Sequence, residues 1–273
     1  MRTFFKVLAF GCIAASLFTA CKKQEDPVVS RKAILQKYIT GETQNFSKLN
    51  DKMVFQYDDQ NRPYLITITS EGEDPAYCMI DYVDERAIRL EINVLTDPED
   101  PSTTTDHYFF NLTDNRADSG GNQDLSALQG TTIYLFEYDS KGHLCKFTHK
   151  IDGSDYIYFF KWKNGDLIKA YSADESFIYE YTPGDDAYAG VLPLSAYPHF
   201  LPQPLIASFG YYGKAPKHMP RKLVYTDKMN AFKGVCEYSY GIMRGLMFDY
   251  TEKLTVGDTE KITYGKTDWS WVN

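Results

Sequence analysis

A short phrase recurs along this chain: an alternating segment ends in an aromatic residue, and a turn led by Asp and closed by Gly or Asn follows. The fullest copy runs Ile133-Tyr134-Leu135-Phe136-Glu137-Tyr138, then Asp139-Ser140-Lys141-Gly142, then His143-Leu144-Cys145-Lys146-Phe147. Successive strand residues point to opposite faces, and Gly142 supplies the positive φ that a tight turn needs, so this stretch reads as a β-hairpin. Phe55 to Arg62 is a second copy, with Asn61 in place of the glycine. Ile80 to Arg86 is a looser copy, and Phe160 to Leu167 a close one. With the last aromatic of each copy as marker, Tyr57, Tyr82, Tyr138, Trp162 and Tyr181 mark the units, and a degenerate unit at Leu112-Thr113-Asp114-Asn115-Arg116 fills the gap. Spacings of roughly 19 to 30 residues hold two strands and two turns, so the units stack as neighbouring hairpins in a meander.

The aromatic content fits this period. The chain has 22 Tyr and 17 Phe in 273 residues, and such rings pack well on a pleated surface. Tyr134, Phe136 and Tyr138 share one strand face, as do Tyr156, Tyr158, Phe160 and Trp162, and again Phe177, Tyr179 and Tyr181. Two readings follow: the paved face is core inside a barrel or under a cap, or it is a platform on which sugar rings stack. The opposite positions, such as Glu137, Lys161, Lys163 and Glu180, are charged, which speaks against a lipid-facing barrel wall.

Between these strands the chain is punctuated. Asp97 to Thr105 and Ala117 to Gln123 read as loops or turn-rich breaks. Residues 181–220 hold seven prolines among apolar residues, too many for a central strand and too greasy for disorder, so the segment is expected to pack as a long crossover or cap on the sheet. Strands resume at Arg221 to Tyr225, Gly234 to Tyr240, Leu246 to Tyr250 and Lys261 to Tyr264. Ser30 to Tyr38 reads as one short helix with Ser30 as N-cap. The expected fold is all-β: a single antiparallel meander over residues 30–273, curled into an open or closed barrel, with one N-terminal helix.

The amino terminus carries a different signal. Arg2 and Lys6 flank a short basic region, Val7 to Phe18 is apolar, and Thr19-Ala20 are small residues before Cys21. This layout, over residues 1–20, resembles a bacterial lipoprotein signal, which implies cleavage before Cys21 and lipidation of its thiol; Phe18 stands where that signal usually has Leu. Cys12 lies mid-way through the apolar run and leaves too short a stretch before it. The run is too short for a membrane-spanning helix. Residues 21–29 then form a tether, and Lys22-Lys23-Gln24-Glu25-Asp26 resembles the tracts that export lipoproteins to the outer face of a Gram-negative outer membrane. The Tyr138-Asp139-Ser140-Lys141-Gly142-His143-Leu144 phrase resembles the YD repeats of Rhs-type proteins. Phe209 to Pro220 resembles a segment of a lipoprotein family of unknown function described as having a porin-like fold. These resemblances imply architecture and an outer-membrane, lipid-anchored, surface-facing location, and no catalytic or ligand residue.

Composition excludes one class of partner. The formal charge is −8, and the only basic residues of the signal, Arg2 and Lys6, leave with it, so a nucleic-acid backbone is repelled. Cys78, Cys145 and Cys236 match no metal motif and read as small buried residues, with one disulfide as the minor option. His107, His143, His149, His199 and His218 are scattered without ligand spacing, so no metal or cofactor is expected. A nucleophile pair of Cys145 with His143 or His149 lacks a third orienting group. Glu71, Glu73, Asp74, Glu99 and Asp100 lie in turn-like stretches where acids solvate loops. His199 and Tyr197 stand out because loops such as theirs line pockets. The expected function is a non-enzymatic binding or scaffold role in the cell envelope, with carbohydrate or another envelope protein as partner and the membrane reached through the Cys21 lipid. The alternative is a glycoside-type hydrolase with its site near residues 181–220.

Overall fold

A computed structural model describes residues 32–44, 49–83, 89–124, 132–181, 194–202, 210–243 and 246–272. The signal, Cys21, the tether and Ser30 lie outside the described residues. Two compact units are distinguished; of the first, Met1–Ala33 with Trp271–Asn273, only strand ends are described, and the second, Ile34–Ser270, forms the barrel wall.

Sixteen strands follow one another: β1 (Lys32–Gly41), β2 (Leu49–Tyr57), β3 (Pro63–Ser70), β4 (Ala76–Tyr82), β5 (Arg89–Leu95), β6 (Thr104–Thr113), β7 (Arg116–Asp124), β8 (Thr132–Tyr138), β9 (Leu144–Ile151), β10 (Ser154–Lys163), β11 (Asp166–Tyr171), β12 (Glu175–Glu180), β13 (Lys222–Asp227), β14 (Phe232–Met243), β15 (Leu246–Val256) and β16 (Thr259–Val272). Each pairs with the next, and β16 meets β1 to close the barrel. Closure leaves no strand edge unpaired. The expected meander is therefore present and its barrel is closed.

The expected helix is absent from its described part: residues 32–38 belong to β1, whose Lys37 and Tyr38 pair with Val54 and Met53 of β2. Ile34 and Tyr38 have helical spacing, but closing the ladder satisfies backbone groups along a whole strand and overrides that local preference. The expected break at Ala117 to Gln123 is also a strand, most of β7. Its Gly120-Gly121 pair looks like a turn, yet a Cβ at Gly120 would lie 2.5 Å from the Phe109 carbonyl, and one at Gly121 would lie 2.7 Å from the Phe109 ring. Glycine stands here so that the β6 rings can lie across the strand.

The phrase that organises the sequence has a structural counterpart at one end of the barrel. Asp139 Oδ1 accepts from the Lys141 and His143 N–H groups, and Gly142 takes φ +86°. Asp58 does the same for Gln60 and Arg62, with Asn61 at φ 57°. An aromatic residue at or near the end of an even strand reaches back to a carbonyl near the start of the preceding odd strand: Tyr82 to Pro63, Tyr138 to Ala117, Trp162 to Leu144, Tyr181 to Leu167, Tyr240 to Pro220 and Trp269 to Met247, at 2.6–2.9 Å. Tyr57 likewise donates to Leu35. Register shifts interrupt the ladder beside Tyr57, Tyr138 and Trp162, and such bulges take carbonyls out of regular pairing. The latch gives a carbonyl at the strand end a donor. In β6 the buried Leu112 holds this place and carries no donor, which is why that unit read as degenerate.

The inner face of the wall is apolar and filled. Phe55, Ile66, Ile80, Ile92, Phe110, Phe136, Phe147 and Phe177 form one core with Ala196, Leu201, Tyr212 and Met219 from the long β12 to β13 connection. That connection joins neighbouring strands, so it is neither a crossover nor a cap on the sheet; it enters the lumen. The reason is volume: a closed wall of this size needs more than its own side chains to fill it. Phe200 stacks on Tyr158 at 3.8 Å and packs against Phe147, Phe160 and Phe177, and Tyr212 lies on Phe136 at 5.3 Å. Main-chain bonds hold the plug: Ala117 N–H to Tyr211 O, Lys214 N–H to Gly142 O, Lys217 N–H to Gly165 O. Asp166 accepts from the His218 N–H at 2.9 Å and meets its ring at 2.9 Å.

The outer face carries charge along its height, with pairs Glu137–Lys146, Lys150–Asp155 and Lys253–Glu260 at 2.6–3.2 Å. Exposed Leu135, Ile157, Phe159 and Ile178 are interleaved with Lys146, Lys161 and Lys169. An apolar inside and a charged outside invert the pattern of a transmembrane barrel, where each Lys or Arg at mid-membrane costs about 2–4 kcal/mol.

Candidate functional site

At the end of the barrel opposite the latches, the wall and the plug leave an open pocket of about 790 Å³. The alternation of the strands decides what faces it. Tyr134 of β8 pairs with His149 of β9, which pairs with Tyr156 of β10, and all three side chains point inward. Tyr158 follows two residues on. Glu175 stands two residues before the buried Phe177 in β12 and opposite Asp227 in β13, so these two carboxylates share the inner face on adjacent strands. Tyr108, Asp174 from the β11 to β12 turn, and His199, Phe200, Leu201 and Pro202 of the plug line it as well.

Glu175 is the best-placed polar group. Its Oε1 accepts from the Tyr225 hydroxyl at 2.9 Å and lies 3.2 Å from His199 Nε2. Burial raises the Tyr225 hydroxyl, and the bond to Glu175 raises it further, so that phenol stays a donor. Asp227 is occupied: Oδ1 accepts from the Met229 and Asn230 N–H groups and Oδ2 from Asn230 Nδ2, and these bonds hold its carboxyl below the usual range. It closes the β13 to β14 turn. His149 lies between the rings of Tyr134 and Tyr156, at 5.2 and 6.2 Å, and burial lowers its pKa, favouring the neutral imidazole. Tyr156, 50% exposed, presents its ring to solvent at the mouth.

The ten aromatic residues singled out in the sequence all belong to the inner side of the barrel, but they divide by height. Tyr134, Tyr156 and Tyr158 line the pocket. Phe136, Phe160 and Phe177 pack on the plug, and the Tyr179 hydroxyl donates to the Ala196 carbonyl there. Tyr138, Trp162 and Tyr181 are latches at the far end. His199 lines the pocket, while Tyr197 borders a small apolar recess beneath the plug. The sequence reading passed over Glu175 and Asp227, and weighed His149 only as a scattered histidine and a partner for Cys145. Glu175 and His149 lie two residues from the buried rings of Phe177 and Phe147, and Asp227 two from the partly buried Tyr225, and that spacing was the available signal.

Other candidates are structural. His143 bonds to Asp139 at 3.0 Å and stacks on Trp162, and Cys145 Sγ donates to the Glu137 carbonyl, so neither forms a nucleophile pair. Cys78 is buried, with its thiol pushed up to about 11 by desolvation, while Cys236 and Cys145 are half-buried rather than fully so. All three thiols are free. Among the described residues no cluster of His, Cys, Asp or Glu suits a metal ion.

No family model and no curated protein matches this chain. Solved structures do. A porin-like protein from Bacteroides uniformis superposes with a TM-score of 0.60 at 14% identity, covering 86% of this chain and 96% of that one. A porin-like protein from Bacteroides vulgatus aligns with a TM-score of 0.43 at 11% identity, covering 88% and 99%. At 14% identity the first likeness establishes a shared barrel fold.

Proposed function

We propose that this protein is a non-enzymatic binding protein of the bacterial envelope, exported and anchored through a lipid on Cys21, that captures carbohydrate in the mouth pocket. The likeness to a porin-like barrel fits an envelope protein. A lumen filled by residues 194–202 and 210–220 argues against a conduit, so the open end is the place for function. The observation that carries the reading is the pocket itself: ring faces and carboxylates side by side suit the apolar faces and hydroxyl edges of sugars.

The test is a glycan-array screen of the chain from Lys22 onward, followed by calorimetry of any hit with Tyr156→Ala. Binding that weakens at least about tenfold in the variant, or about 1.4 kcal/mol, supports capture at the mouth; an array without hits overturns it. Incorporation of labelled palmitate into wild type but not into Cys21→Ala tests the anchor.

A hydrolase reading draws on one feature, the facing carboxylates Glu175 and Asp227, since glycoside hydrolysis uses two acids across one bond. Asp227 is committed to its turn through both oxygens, which leaves the pair without a second free carboxyl. Release of reducing ends from an array hit, abolished by Glu175→Gln, would reinstate that reading.

A further inference from the structure

The mouth pocket is rich in hydrogen-bond acceptors and poor in positive charge. Asp174, Glu175 and Asp227 line it, Asp155 borders it although its carboxylate pairs with Lys150 on the outer face, and among the described residues no Lys or Arg lines it. Two ammonium groups near the rim are engaged, Lys150 with Asp155 at 3.2 Å and Lys228 with the Ala173 carbonyl at 2.8 Å. Counting both, the fixed charge stays negative, and the low-dielectric wall strengthens its field. A separate observation points the same way. Tyr156 adds an exposed ring face, which attracts a cation placed over it.

We infer that the pocket selects carbohydrate bearing a free amine, with a hexosamine ring on Tyr156 and its ammonium toward Glu175. This rests on the capture reading and adds the charge of the ligand. Anionic sugars meet like charge and no guanidinium or ammonium partner. N-acetylated sugars keep the ring contact but lose the ion pair and the cation–π contact.

Calorimetry at about pH 6, where the amino-sugar nitrogens are protonated and the pocket carboxylates ionised, with three probes decides it: the β-1,4-linked glucosamine trimer, its N-acetylated counterpart and trigalacturonate. The amine trimer is expected to bind roughly tenfold or more tightly than the acetylated one, with trigalacturonate weakest. Raising salt from about 50 to about 500 mM should narrow the gap. Glu175→Gln should bring the amine and acetylated trimers within about twofold of each other, chiefly by weakening the amine trimer. Equal affinity for the two trimers, or tighter trigalacturonate, overturns the amine preference and leaves capture standing. Binding of none of the three overturns the preference too, and the glycan array then judges capture separately.

Discussion

Asp139 and Tyr138 are neighbours in sequence with separate duties at the latched end, and each duty has a measurable cost. The Tyr138 hydroxyl donates a hydrogen bond to the Ala117 carbonyl at 2.6 Å in a half-buried setting. Tyr138→Phe keeps the ring and strands the carbonyl, so about 1–3 kcal/mol should be lost in urea unfolding. Asp139 works through its charge. Burial alone raises its carboxyl, but the His143 N–H, the His143 ring and the Lys141 N–H more than offset this and hold it at about 2, below the ordinary 3.8. A carboxyl depressed in the folded state contributes stability above its unfolded pKa and loses it as pH falls through the folded value. Wild type should therefore lose stability between about pH 4 and pH 2, and Asp139→Asn should flatten that part of the curve. An unchanged slope in the variant would show that the carboxylate's charge is immaterial to the turn. The effect is modest, because the side chain is partly solvated.

At the scale of elements, what was legible in the sequence followed from period two. The rows Tyr134-Phe136-Tyr138 and Tyr156-Tyr158-Phe160-Trp162 identify a common face because the pleat enforces it. What was not legible depended on distant partners. β1 looks helical until β2 and β16 are beside it, and β7 looks like a turn until the Phe109 and Phe110 rings need its glycines. The Pro-rich segment misled in another way: its prolines rule out a strand, but nothing local says that it turns inward. The pocket inherits this limit, since His199 and Glu175 meet only once the plug is in place. The plug's role is open to test at Phe200, which touches four rings of the wall. Phe200 is half-buried at the pocket, so Phe200→Ala should cost less than the roughly 3–5 kcal/mol of a fully buried aromatic, about 2–3 kcal/mol. The same change should loosen the mouth, so hydrogen exchange at Glu175 and Phe177 should quicken more than at Phe55 or Ile66. Uniform quickening would mean that plug and wall unfold together.

For the whole molecule, polarity and filling together decide how the barrel meets a membrane. A barrel that spans lipid puts apolar side chains outward and polar ones toward a wet lumen. Here Phe110, Phe136, Phe147 and Phe177 face in, while Lys146, Lys161, Lys169 and Lys253 face out. The chain from Lys22 onward, without Cys21, should therefore stay monodisperse without detergent and fail to float with liposomes. Added to a planar bilayer, it should give no unitary conductance. Removing the plug should not create a pore either. A deletion of residues 194–219 would expose the inner rings to water rather than open a polar channel, because it removes the apolar contact the plug gives those rings. The deletion variant should thus aggregate or bind an apolar dye strongly. If it instead stayed soluble and opened steady conductance steps, the lumen would have to be wet without its plug, and the inward-facing rings would have to line an ion path.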